Sequence, residues 1–149
     1  MSLKVTIDKE IKSAMLKKNK LRLTALRAIK SSILIEEKNK NGENQLNKEK
    51  EMQVLMKNIK QRKESMDLYL QQQRNDLAQI EKQEIDVISE FLPKQLSEEE
   101  IIKEIERIIE THKANDIKEM GKIMGIASKK FAGKADNNVV AKIVKSKLI

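Results

Sequence analysis

The sequence predicts an all-α protein, and three observations lead to this prediction. The apolar residues are mainly aliphatic, with two Phe, one Tyr and no Trp in 149 residues, which favours helices over an aromatic-rich β-sandwich. Only one Pro and four Gly interrupt the chain. Apolar residues recur every three or four positions, the period of an α-helix. We expect an N-terminal domain of about four helices in residues 1–92 and a C-terminal three-helix bundle in residues 93–149.

Four helices are predicted in the N-terminal part. The first covers about residues 3–17, and the second follows Asn19 as N-cap and runs to about Lys38. Residues 39–44 are polar and aperiodic, which predicts a loop. A long third helix starts after Asn47, and its expected apolar seam consists of Met52, Met56, Ile59, Met66 and Leu70. The expected buried residues of the fourth helix are Leu77, Ile80, Ile88 and Phe91.

The pair Leu92 and Pro93 marks the predicted boundary between the two parts. Proline lacks a backbone donor and pushes the preceding residue out of helical geometry, so the fourth helix must end here. Ser97 and Glu100 then form the signature of a capping box, which predicts the start of a fifth helix.

Two more helices complete the predicted C-terminal bundle. Gly133 suits the left-handed C′ position just past the end of the sixth helix. Asp136 can act as the N-cap of the seventh. The sixth helix is expected to bury Ile117, Met120, Met124, Ala127 and Phe131.

The net charge of +8 is unevenly distributed along the chain. Residues 1–30 hold nine Lys or Arg against two acids, residues 31–116 fourteen against nineteen, and residues 117–149 eight against two. Two basic ends therefore enclose an acidic middle. A polyanionic partner would benefit from this segregation, whereas a merely solvated surface would not require it.

No catalytic residue, metal site or cofactor motif is identified in the sequence. Ser31 and Ser32 follow Lys30, but serine–lysine chemistry also needs a glycine-rich loop as an oxyanion site, and none lies nearby. The absence of Cys excludes a cysteine nucleophile and thiolate ligands, and no phosphate-binding loop is present. His112 is the only histidine, so we expect no metal and no cofactor.

The hydropathy of the chain indicates its location. No apolar run approaches the ~18 residues that span a bilayer, so we expect no membrane partner. The start, Met1-Ser2-Leu3-Lys4, lacks the apolar core of a secretory signal. We expect a cytoplasmic location, and the sequence does not separate this from an organelle matrix.

The sharpest candidate site is a basic stretch on the predicted sixth helix. Its residues are Lys118, Gly121, Lys122, Gly125 and Lys129, joined by Lys134 from the following turn. The three helical lysines are spaced to share one face, and the two glycines line an adjacent face. Lysines there can neutralise phosphates while bare backbone lets an RNA approach closely. The alternative is a solvated lysine face with glycines that admit a neighbouring helix.

A second basic candidate lies on the second helix. It consists of Arg22, Arg27 and Lys30, supported by Lys17, Lys18 and Lys20. Arg62 is instead expected to pair with helical acids such as Glu64 or Asp67. Because proteins that read splayed bases carry several aromatic side chains for stacking, the scarcity of aromatics favours contact with the backbone or shape of a folded RNA.

Short motifs in order along nearly the whole chain resemble the YqeY family. They are also similar to the tail domain of the B subunit of the tRNA-dependent Asp/Glu amidotransferases. The motifs are Leu26-Arg27, Lys60-Gln61-Arg62, Asp76-Leu77-Ala78, Glu84-Ile85, Leu92-Pro93-Lys94-Gln95-Leu96, Met120-Gly121-Lys122-Ile123-Met124 and Ala132-Gly133-Lys134-Ala135-Asp136. One departure is Asn137, where the family often has a glycine.

This resemblance implies a function that composition does not. In the amidotransferase, the similar tail domain helps to hold the tRNA whose mischarged amino acid is converted to Asn or Gln. The family is grouped with carbon–nitrogen ligases that use glutamine as amido-N-donor. We therefore expect a tRNA-binding or accessory module, with tRNA or another folded RNA and an amidotransferase or translation protein as partners. Two alternatives stay open: a helical protein–protein interaction module, and a carbon–nitrogen ligase component whose catalytic residues are unidentified.

Overall fold

A computed structural model describes residues 2–39 and 45–149, and every regular element in these ranges is a helix. The all-α prediction is confirmed for this part of the chain. None of the described helices combines the length and the apolarity needed to cross a membrane. The elements are α1 (Leu3–Leu16), α2 (Lys20–Asn39), α3 (Lys48–Gln71), α4 (Asn75–Ser89), α5 (Glu98–Thr111), a 3-10 helix (Ile117–Glu119), α6 (Met120–Lys130) and α7 (Asn137–Leu148). Of the predicted loop, Asn39 is helical, and residues 40–44 lie outside the described ranges.

Polar side chains start the helices where the sequence predicts N-caps. The Asn19 carboxamide oxygen accepts from the Arg22 backbone N–H at 3.1 Å, and Asp136 caps α7. The Ser97 hydroxyl accepts from the backbone N–H of Glu100 at 3.2 Å and donates to the Glu100 carboxylate. The capping box is thus half formed, and each such cap contributes about 1 kcal/mol.

Three helices end in a left-handed residue that is not glycine. Lys18, Gln73 and Lys113 have φ of 56°, 59° and 52°. Arg74 follows Gln73 in sequence, and its N–H donates to the Tyr69 carbonyl at 2.8 Å. This is the six-to-one hydrogen bond of a Schellman motif. A non-glycine residue in the left-handed conformation costs free energy. The hydrogen bonds of this motif offset that cost.

The chain divides into two compact units, Met1–Leu92 and Pro93–Ile149. The first contains α1 to α4 and the second contains α5 to α7. The predicted organisation into two domains stays a prediction.

In the first unit, α2 packs against α1, α3 and α4. The shared core contains no buried residue of α3 beyond Ile59. The end of the predicted seam is therefore wrong: Met66 is half-buried, but Leu70 is 49% exposed. Ile80, predicted to be buried on α4, is also exposed. The buried residues of α3 are Met52, Val54, Leu55, Asn58 and Ile59.

A buried polar network links α3 to α4. The Arg62 Nε donates to the Glu84 carboxylate at 3.0 Å, and both side chains are largely buried. The expectation that Arg62 pairs with Glu64 or Asp67 was wrong, because Arg62 points across to α4 and Glu84 lies opposite. Beside this pair, burial and the charge of Glu84 raise the pKa of Glu81.

The second unit has a core drawn from α5, α6 and α7. Its core helix α6 buries Ile123 and Ala127 completely, whereas Ile117, predicted to share this face, is exposed. Ile117 lies in the 3-10 helix, which turns by about 120° per residue and so changes the register before α6 begins. The buried residues of this unit are Ile101, Ile105, Ile108, Ala114, Ile123, Ala127, Phe131, Ala135, Val140, Ile143, Val144 and Leu148.

Candidate nucleic-acid interface

The solvent side of α6 carries most of the predicted basic site. Lys118, predicted to lie on the same helix as Lys122 and Lys129, lies in the preceding 3-10 helix, and Lys134 lies in the turn after α6. We call this surface the lysine–glycine face; its residues are Lys118, Gly121, Lys122, Gly125, Lys129 and Lys134, all of them exposed. At about 100° per residue, Lys122 and Lys129 point within about 20° of each other, and Gly125 lies about 60° away. Because Ile123 and Ala127 hold the opposite side in the core, this side of α6 must face solvent.

Neither glycine of α6 makes room for a neighbouring element. A Cβ atom placed on Gly121 or Gly125 would meet no heavy atom within 4 Å. Each residue costs about 1 kcal/mol relative to alanine in a helix, and no packing within the described residues accounts for that cost. The alternative in which these glycines admit a neighbouring helix of the same unit is therefore not supported.

No carboxylate of the described residues pairs with the lysines of the face. Lys118, Lys122, Lys129 and Lys134 form no ion pair within the described residues. Two other lysines of the unit are engaged instead: Lys130 lies 2.6 Å from Glu104 and Lys147 lies 2.8 Å from Glu106. The close approach of the Lys130 ammonium, together with the charge of Arg107, lowers the pKa of Glu104. The acids of α5 thus neutralise their neighbours, and positive charge accumulates on the outer side of α6.

A fixed turn presents Lys134. Gly133 has φ 74°, a conformation that suits glycine. Gly133 was predicted to occupy the C′ position of α6. Because the C-cap of α6 is Phe131, Gly133 lies one position beyond C′. The carbonyl oxygen of Phe131 accepts from the N–H of Lys134 at 2.8 Å, which closes the turn and leaves the lysine side chain exposed.

Two of the three residues in the second predicted basic set already form ion pairs with carboxylates. Arg22 lies 2.9 Å from Glu10 and also binds Glu90, and its hydrogen bonds to these two acids raise its pKa. Lys30 lies 2.6 Å from Asp8. Of the three residues, Arg27 alone is exposed without an ion pair in the described part of the chain.

The sequence prediction omitted two further exposed lysines, Lys142 and Lys145 on α7. Like the lysines of the lysine–glycine face, they form no ion pair within the described ranges. Their spacing of three residues, opposite the buried Ile143 and Val144, is the signal that identifies them as a solvent-facing basic pair.

Other chemistry-bearing groups do not converge on this face. In residues 2–39 and 45–149, no three His, Cys, Asp or Glu side chains are placed to hold a metal ion. A polar groove between α2 and α3 includes Ser32 and Asn58, but the Asn58 amide already donates to the Ser32 hydroxyl at 3.1 Å and to the Val54 carbonyl at 2.9 Å. The groove contains none of the predicted site residues.

Comparison with known proteins identifies one family. The model of the family described as Yqey-like protein matches residues 4–148, nearly the whole chain. The match includes both the lysine–glycine face and the basic set of α2.

Two curated relatives carry the same name, Altered inheritance of mitochondria protein 41, mitochondrial. The protein of Clavispora lusitaniae is 35% identical over 109 residues, which cover 72% of this chain and 62% of the relative. That of Candida glabrata is 33% identical over 87 residues, covering 58% of this chain and 48% of the relative. The chain thus spans about half to three-fifths of the length of these relatives.

Proposed function

The chain belongs to the YqeY family, and on this premise we propose that its C-terminal unit binds the phosphate backbone of a folded RNA, most of all tRNA. In this proposal the protein is an accessory to tRNA-dependent amidation and has no catalytic residues of its own. Because two relatives are named for mitochondria, we propose two candidate locations, the cytoplasm and an organelle matrix.

One observation carries the proposal: the lysine–glycine face combines cations that have no ion-pair partner among the described residues with two glycines that face open space. Phosphate contacts from lysine supply most of the sequence-independent affinity for RNA. Bare backbone between these lysines lets a phosphate strand approach α6 more closely than a side chain would allow. The resemblance to the tail domain of the amidotransferase B subunit supports the same partner.

The kind of RNA follows from what the face lacks. Its residues include no aromatic side chain, so single-stranded bases have no stacking platform there. Lysine is a point charge that contacts phosphates without reading bases. A folded RNA, whose phosphates are fixed in space, is the partner that this chemistry favours.

The test is filter binding of a tRNA pool over a series of salt concentrations. The test variant replaces Lys118, Lys122 and Lys129 by Ala. If each lysine neutralises one phosphate, the slope of log K against log salt should flatten by about 2–3 units, and all tRNAs should lose affinity alike.

A matched control replaces Lys57, Lys60 and Lys63, three exposed lysines of α3. It removes the same charge from the other unit and should leave most of the slope unchanged. Equal slopes for the wild type and a folded Lys118→Ala, Lys122→Ala, Lys129→Ala variant would exclude the lysine–glycine face as an RNA site.

The open glycines also favour a second candidate function, a helical protein–protein interaction module. Gly121 and Gly125 are four residues apart, which lets a partner helix approach closely. Capture of one protein that resists both salt and ribonuclease would support this candidate. The ligase alternative predicts repeated glutamate release from glutamine by the isolated chain, abolished by a single substitution in it.

A further inference from the structure

The end of α1 exposes two large apolar side chains. Met15 is 54% exposed and Leu16 is 79% exposed. Among the large apolar side chains of the described residues, only the C-terminal Ile149 is more exposed than Leu16. The opposite side of α1 is in the core, where Ile7 and Ala14 are buried. The two side chains therefore project from the unit rather than cover it.

Lysines surround this apolar pair. We call the segment the lysine-rimmed turn; its residues are Lys12, Met15, Leu16, Lys17, Lys18 and Lys20, all of them exposed. Its four lysines form no ion pair within the described ranges. Residues 11–20 include no acid. The preceding acids are occupied, since Asp8 binds Lys30 and Glu10 binds Arg22.

Hydrogen bonds hold the turn in one conformation. Lys18 is left-handed, and the N–H of Asn19 donates to the carbonyl of Ala14 at 3.0 Å. The Asn19 side chain in turn caps α2 by accepting from the Arg22 N–H. Because Ala14 is buried, the turn is fixed to the core, and Met15 and Leu16 are presented by a rigid element.

We propose that the lysine-rimmed turn docks on an anionic lipid surface, with Met15 and Leu16 inserted at the level of the headgroups. An anionic bilayer offers both of the environments that these residues need. Its apolar boundary receives the two side chains, and its negative headgroups attract the lysines around them. The contact is peripheral and reversible. It departs from the expectation that the protein has no membrane partner, because that expectation rested only on the absence of a spanning segment.

Charge and exposure together select this occupant over an RNA. Phosphates would satisfy the lysines but would leave Met15 and Leu16 in water, because phosphate contacts bury little apolar surface. An anionic membrane satisfies both kinds of side chain in one contact. The surface lies in the first unit, whereas the lysine–glycine face lies in the second.

Cosedimentation of the full chain with lipid vesicles tests the proposal. Vesicles of phosphatidylcholine mixed with phosphatidylserine should bind the protein, binding should weaken with salt, and vesicles of pure phosphatidylcholine should bind far less. The double variant Met15→Ser, Leu16→Ser should bind at least about ten-fold more weakly, since burial of one side chain of this size changes an equilibrium constant by about that factor.

The matched control is Leu68→Ser, Leu70→Ser, which removes two exposed apolar side chains from α3. It should bind the mixed vesicles like the wild type. A second test variant, Lys17→Gln, Lys20→Gln, keeps the apolar pair and should reduce both binding and its salt dependence.

Three outcomes would overturn the proposal. The first is equal or absent binding to the two kinds of vesicle. The second is unchanged binding by the Met15→Ser, Leu16→Ser variant, with circular dichroism confirming its fold. The third is RNA binding that depends on Lys17 and Lys20 in the absence of vesicle binding, which would assign the turn to RNA.

Discussion

The backbone N–H of Leu96 donates to the carbonyl oxygen of Lys134 at 2.9 Å. Beside this bond, the side chain of Gln95 donates to the carbonyl oxygens of Gly133 and Pro93. The segment that opens the second unit thus holds the turn between α6 and α7. Two stretches that resemble the YqeY family, far apart in sequence, support each other, and one of them presents the exposed side chain of Lys134.

Replacement of Gln95 by Ala should destabilise the second unit by about 1 kcal/mol, because two side-chain hydrogen bonds to the chain are lost. Urea denaturation followed by circular dichroism measures the change. Lys94→Ala is the matched control, since Lys94 is exposed beside it and forms no ion pair in the described residues. Equal stabilities of the two variants would show that Gln95 does not hold the turn.

The glycines should respond to alanine in opposite ways. Gly125→Ala should raise the free energy of unfolding by about 0.5–1 kcal/mol, because the residue is helical and its Cβ meets open space. Gly133→Ala should lower it by about 1 kcal/mol or more, because φ is 74°. Thermal melts of both variants check this. A Gly125→Ala variant that melts earlier would show that something packs against α6.

Removing one partner of the Arg62–Glu84 pair should lower the free energy of unfolding more than replacing both partners by apolar residues. Glu84→Ala leaves a largely buried guanidinium without its carboxylate, so we expect a loss of about 3 kcal/mol. The double variant Arg62→Met, Glu84→Leu removes both charges and should recover most of that loss. Equilibrium denaturation of the single and double variants measures the difference. No recovery in the double variant would mean that packing, rather than the lone charge, caused the loss.

Residues 93–149 should fold on their own. The second unit has its own core of twelve buried apolar residues. A fragment this short should still have only a small free energy of unfolding. We expect a purified fragment to be helical by circular dichroism and to melt cooperatively. A fragment that melts without a transition, while the full chain melts with one, would show that this unit depends on the first and would contradict the two-domain prediction.

The sequence alone determined the helices and several of their ends. Helical spacing of aliphatic residues, N-caps such as Asn19 and Ser97, and the break at Pro93 are local signals, and local signals act over one or two turns. For the same reason the exposed lysines of α6 could be predicted: a charged residue opposite a buried stripe faces solvent whatever the rest of the chain does.

Tertiary structure decided which apolar residues have a core to join and which charges have partners. Leu70 and Ile80 fit a helical seam but lie where no core is present, and the 3-10 helix moved Ile117 out of register with α6. Arg62 pairs with Glu84 on another helix. Arg22 and Lys30 pair with carboxylates of other helices, whereas Arg27 is exposed and forms no ion pair with a described residue. Such pairings join residues of different helices. They depend on how helices pack, which spacing along one helix does not encode.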